Sequence, residues 1–188
     1  MDKREFLKKA CGLGVCSCAA AVLTPEAGRA GSEDAECEQT RDMNRRLEWR
    51  LNLAKRNYCS VLNKIEPEVD PKTRQNMLEQ MGRNCANSWG QAAKFKNNPE
   101  GFFDLMRERF GENISFDVKG GLITVVTPER DCVCPIIDSS KAPAYYCHCS
   151  IGWQKQTYET ILGRPVNVEL KESVLRGSTR CVFEVRVV

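Results

Sequence analysis

Residues 114–127 read ISFDVKGGLITVVT. Ile114, Phe116 and Val118 alternate with polar neighbours, and Gly120-Gly121 interrupts them. Leu122 to Thr127 then returns as a β-branched run. A period of two folded back across a Gly-Gly pair predicts a β-hairpin. Upstream the period is helical. Met43, Leu47, Leu51, Ala54, Tyr58, Val61 and Ile65 recur every three or four residues, which predicts one long amphipathic helix. Asp70-Pro71 caps and opens a second helix carrying Met77, Met81 and Cys85. Gly90 to Asn97 reads ambiguously. Asn98-Pro99 opens a third helix through Phe102, Phe103, Met106 and Phe110, which Gly111 closes.

Downstream, Pro128 to Pro143 is expected to be a loop and Tyr145 to Cys149 a short strand. Ser150 is expected to cap a helix through Trp153, Thr157 and Ile161, stopped by Gly163 and Pro165. Val166 to Leu175 and Cys181 to Val187 predict a second hairpin across Arg176-Gly177-Ser178. The expected fold is α+β: N-terminal helices, then β-hairpin, helix and β-hairpin, forming one antiparallel sheet with helices packed on it.

The chain has 188 residues, 41% of them apolar, enough for one globular domain with a real core. Residues 1–30 read as an export signal. Lys3-Arg4 and Lys8-Lys9 precede an uncharged run from Ala10 to Pro25, and Gly28-Arg29-Ala30 offers small residues for cleavage. Asp2-Lys3-Arg4-Glu5-Phe6-Leu7-Lys8 resembles the twin-arginine motif, with Lys3 in place of the first arginine. The run is also open to reading as an uncleaved anchor, or Cys16 or Cys18 as a lipidated residue. The expected organisation is therefore a signal over 1–30 and one cysteine-rich domain over 31–188, exported to the periplasm or cell envelope. Setting the signal aside leaves 23 basic against 22 acidic residues, which gives no case for nucleic acid as a partner.

Eleven cysteines dominate the chemistry, eight of them beyond the signal. Cys132-Val133-Cys134 and Cys147-His148-Cys149 form CxC-x12-CxC. On an extended backbone, residues two apart project to one face, so each pair can present two sulfurs to one point. Four converging thiolates suit zinc, the first choice, or an iron–sulfur cluster. Disulfides, with no cofactor, or a redox dithiol are the rival readings. Cys85, in Gly82-Arg83-Asn84-Cys85, is the best outside candidate for a fifth thiol, against a plain buried helix residue. His148 is the sole histidine, so a multi-histidine centre is excluded. Cys59 and Cys181 read as core. Trp153, Tyr145 and Tyr146, with Phe102 and Phe103, are candidates to line a ligand pocket beside the sulfurs, and Arg83 to bind an anionic group. For all of these the bland reading is packing or solvation.

Cys147 to Trp153, Leu162-Gly163-Arg164-Pro165-Val166-Asn167-Val168 and Arg176-Gly177-Ser178-Thr179-Arg180-Cys181-Val182-Phe183 resemble the C-terminal part of vinyl-reductase-type small-molecule (hydrocarbon) binding domains. Those share a fold with nitric-oxide sensor and vesicle-tethering proteins. The likeness covers about the last 75 residues. The whole mature chain resembles an uncharacterised cysteine-rich bacterial family of that fold. The resemblance implies a domain for a small, mostly apolar ligand, a homodimer as an option, and Cys132, Cys134, Cys147, Cys149 and Cys85 as site residues.

The function expected is an exported metal-thiolate binding or sensing domain. Its alternatives are a thiol-redox enzyme, a hydrolase like the aminothiazoline-carboxylate hydrolases, which look similar in their C-terminal ending, or a disulfide-stabilised structural protein. No Ser/His/Asp set, phosphate loop or paired carboxylates at telling spacing stand in the sequence.

Overall fold

A computed structural model of the chain describes residues 30–188, apart from 112, 130 and 133, with side chains described from residue 37. The expected export signal lies outside the described residues, save for Ala30. The chain divides into two compact units, Met1–Arg50 and Leu51–Val188. Helix α1, Ala30–Glu68, is 39 residues long. In the first unit its residues 43–50 are all exposed, and Arg45 and Arg46 both reach Asp42, at 3.5 and 2.7 Å. Among the described residues no helix is long and apolar enough to cross a membrane.

The second unit holds the rest. Asp70 accepts the Thr73 N–H at 3.0 Å and Pro71 opens α2, Pro71–Trp89, with no N–H to leave unsatisfied. The ambiguous stretch contains a 3-10 turn, Ala92–Phe95. Asn98 caps α3, Pro99–Phe110, through the Gly101 N–H at 3.0 Å. Strands β1, Ser115–Lys119, and β2, Leu122–Val126, form the expected hairpin, with Gly120 at φ 56° and Gly121 at φ 80°. Positive φ at both central residues is what a two-residue turn of matching twist needs. After the loop come helix α4, His148–Leu162, and strands β3, Val166–Glu172, and β4, Val182–Val187. The sheet is antiparallel in the order β1-β2-β4-β3.

Its apolar face, including Ile123, Val125, Phe183 and Val185, packs with Phe102 and Phe103 of α3 and Tyr158 and Ile161 of α4. A second cluster joins Cys59 and Leu62 of α1 to Leu78 of α2, Ile137 of the loop and Tyr146. The α+β architecture is as expected. The stretch around the second cysteine pair is not. Tyr145 to Cys149 is no strand: Ala144–Cys147 is a 3-10 turn that runs into α4, and Ser150 lies inside that helix instead of capping it. The aromatic residues that suggested a strand are used in packing, and a 3-10 turn is a common way to start an α-helix.

Helices α2 and α4 touch backbone to backbone. A Cβ on Gly82 would stand 1.8 Å from the Cys149 carbonyl oxygen, and one on Gly152 would stand 1.9 Å from that of Glu79. Two ion pairs bolt the crossing, Arg83 to Glu159 and Lys155 to Glu79, each at 2.6 Å. Because the obstructing atoms are main chain, an added methyl forces the helices apart. Gly82→Ala and Gly152→Ala should each cost about 1–3 kcal/mol. Urea unfolding against the exposed control Asn76→Ala checks this, and coincident midpoints would refute the close approach.

Candidate functional site

The hydroxyl of Tyr146 organises the sulfur-rich end of the second unit. Tyr146 is 2% exposed. Its oxygen lies 3.4 Å from the Cys134 sulfur and hydrogen-bonds the Cys149 thiol and the Tyr58 hydroxyl. Tyr58, edge-on to Tyr146 with ring centroids 5.9 Å apart, donates in turn to the Met81 sulfur at 3.0 Å. Thus α1 contributes Tyr58, α2 Met81, the 3-10 turn Tyr146, the loop Cys134 and α4 Cys149. The loop is held by α1: Asn63 donates to the Lys141 carbonyl, and Cys59 accepts the Asp138 N–H at 3.4 Å.

The CxC pairs interleave. Cys134 and Cys149 share the Tyr146 hydroxyl, while Cys132 has Cys134, Cys181 and Cys147 as charge neighbours. Cys85, exposed on α2, is a charge neighbour of Cys149. Residues two apart on a helix diverge by about 200°, so the second pair does not present both sulfurs to one side as an extended backbone would. Cys147 is turned into the sheet core, where its sulfur lies 2.9 Å from the Ser173 hydroxyl. The described cysteines are all free thiols, and among the described residues no three His, Cys, Asp or Glu side chains are set to hold a metal as they stand.

Burial governs the acidity of these groups. It pushes the Cys149 thiol up to about 12, with the Tyr146 hydrogen bond opposing and Cys134, Cys85 and Cys147 adding. It raises Cys132 against the Cys134 N–H, and raises Cys147 against the Ser173 hydroxyl. Tyr58 is likewise pushed up to about 12, by burial and then by Cys149. Helix α4 runs on from the 3-10 turn without a side-chain cap, and the His148 N–H is taken by the Tyr145 and Tyr146 carbonyls.

The remaining candidates do not meet at this site. Tyr145 is beside it, but its hydroxyl donates to the Leu62 carbonyl at 2.6 Å and its ring lies under Arg74. Trp153 packs on Trp89 in the other cluster, centroids 5.6 Å apart. Arg83 is engaged by both Glu159 oxygens, at 2.6 and 3.2 Å. Phe102 and Phe103 are core. Burial lowers the pKa of His148, whose charged neighbours are Glu79, Arg176 and Lys155 and not the thiols. Sequence reading missed Tyr58, Met81 and Ser173 as site residues. The first two are disguised as members of a hydrophobic stripe, and nothing in the sequence marks the third.

No protein-family model matches the sequence, and no curated protein does. Solved structures of similar chain path exist. One is subunit 3 of a trafficking protein particle complex from Naegleria fowleri, covalently bound to palmitic acid. Its TM-score is 0.47 at 18% identity, over 75% of this chain and 96% of that one. Another is a vinyl-4-reductase family protein from Methanocaldococcus jannaschii, with a TM-score of 0.33 at 20% identity, over 69% of this chain and 75% of that one. Neither assigns an activity, ligand or partner to this chain.

The Arg83–Glu159 pair clamps the α2–α4 crossing and gives it an acid sensitivity. Hydrogen bonds from Arg83 hold the Glu159 carboxyl below its ordinary range, burial opposing. A carboxyl depressed on folding contributes stability that is present above its unfolded pKa and is lost as pH falls through the folded value. Glu159→Gln should therefore cost about 1–2 kcal/mol near neutral pH. The difference from the wild type should shrink as the pH drops below about 4.5. Denaturant titrations at several pH values measure this, and a pH-independent difference would be wrong for this pair.

Proposed function

We propose that this chain is an exported metal-thiolate protein, with zinc or an iron–sulfur cluster bound where its two CxC pairs interleave. The observation that carries the reading is the shared hydroxyl of Tyr146, which brings one sulfur of the loop pair and one of the helix pair together. Cys134 and Cys149 are the first two ligands. Cys132 and Cys85, electrostatic neighbours of Cys134 and Cys149, would complete the set, and Cys147, turned to Ser173, would stay outside it. Every donor there is sulfur or phenol, a soft set that selects zinc or iron–sulfur over hard cations. Loading requires the thiols to lose their protons. The metal charge would supply what burial withholds. Closing the set requires the loop to draw in on α4, so the bound group would brace residues 128–143 against the helices. Tyr146 would donate to the thiolate, whereas either partner can donate in its contact with the Cys134 thiol.

The test is metal analysis of full-length protein purified without added metal, with visible absorption and a free-thiol count. About one zinc ion or one cluster per chain is expected, lost in Cys134→Ser/Cys149→Ser and retained in Cys37→Ser. A metal-free chain with all thiols titratable, or with its cysteines in disulfides, would overturn the proposal.

A further inference from the structure

Helix α1 carries, in the first unit, a surface that the sulfur site does not use. Met43, Arg46, Leu47 and Arg50 recur at i, i+3, i+4 and i+7 and so share one face, with Trp49 on its flank. The apolar members are open: Met43 is 57% exposed, Leu47 54% and Trp49 61%. Residues 41–50 hold four arginines against Asp42 and Glu48, and Asp42 is shared by Arg45 and Arg46. In sequence, this segment follows the uncharged run that ends at Pro25.

We propose that the segment Arg41 to Arg50 docks on an anionic phospholipid surface. The face joins the three chemistries that a headgroup layer accepts. Arginines reach lipid phosphates, an indole sits at the level of the headgroups, and Met43 and Leu47 enter the edge of the acyl region. A second copy fits less well. Pairing the Met43–Leu47 stripe with itself in parallel sets Arg46 and Arg50 against their own copies, and antiparallel pairing leaves both arginines without an acidic partner on the stripe. A nucleic acid would take the arginines and Trp49 but leave Met43 and Leu47 bare.

The test is flotation of the full chain with vesicles of phosphatidylcholine alone and of phosphatidylcholine with one-third phosphatidylglycerol. Binding to the anionic vesicles alone is expected, weakening as salt is raised. Each arginine is worth roughly fivefold, so Arg46→Gln/Arg50→Gln should bind about 25-fold more weakly. Leu47→Gln should also weaken binding, and Trp49→Phe should remove most of the blue shift in emission on binding. Circular dichroism of the variants checks that α1 is retained. Equal binding to both vesicle types overturns the proposal, as does binding indifferent to salt and to these variants, which would place the contact in the uncharged run. A dimer abolished by Leu47→Arg, with no vesicle binding, overturns it in favour of a second copy.

Discussion

The second unit turns on a contact in which side chains are absent. Where α2 crosses α4, Gly82 and Gly152 let each helix rest on the other's main chain. Interior packing is dense, and a single methyl at such a crossing has nowhere to go. The crossing makes Cys85 of α2 a charge neighbour of Cys149 of α4. It also brings Arg83 to Glu159 and Lys155 to Glu79, pairs that grip the two helices beside the glycines. The string Gly82-Arg83-Asn84-Cys85 is thereby accounted for in part: the glycine makes the crossing, the arginine clamps it, and the cysteine stands next to the thiols it leads to.

The thiols are a case of opposed forces. Burial favours the neutral form of Cys132, Cys147 and Cys149. The Tyr146 hydroxyl opposes it at Cys149, and the Ser173 hydroxyl at Cys147. A buried thiol satisfied by a hydroxyl is stable as it stands, and a buried thiolate is stable only with positive charge beside it. The arrangement therefore favours the protonated state. Tyr58 and Met81 extend the same hydrogen-bonded chain to α1 and α2, so that four elements beside the loop bear on one pair of sulfurs.

Much of the fold was legible because its signals are local. The Gly120-Gly121 turn, the Asp70-Pro71 and Asn98-Pro99 openings and the alternation of Val182 to Val187 each state their structure within a few residues. The interleaving of the cysteine pairs was not legible, because it depends on where a helix begins. Tyr145-Tyr146-Cys147 has the composition of a strand, yet packing against α1 and α2 places Tyr146 in a 3-10 turn and starts α4 at His148. That shift turns Cys147 toward Ser173 and leaves Cys149 to the tyrosine. The glycine crossing was equally hidden, since a lone glycine in a helical pattern does not announce its opposite number seventy residues away.

The loop that bears Cys132 and Cys134 is moored to α1 at two points, Asn63 to Lys141 and Cys59 to Asp138, and the 3-10 turn after it at a third, Tyr145 to Leu62. The last turns of that helix are thus part of the scaffold of the cysteines and more than a lead-in to it. Without those turns the loop would lose its leash, and its sulfurs would be free to shift relative to Tyr146 and Cys149.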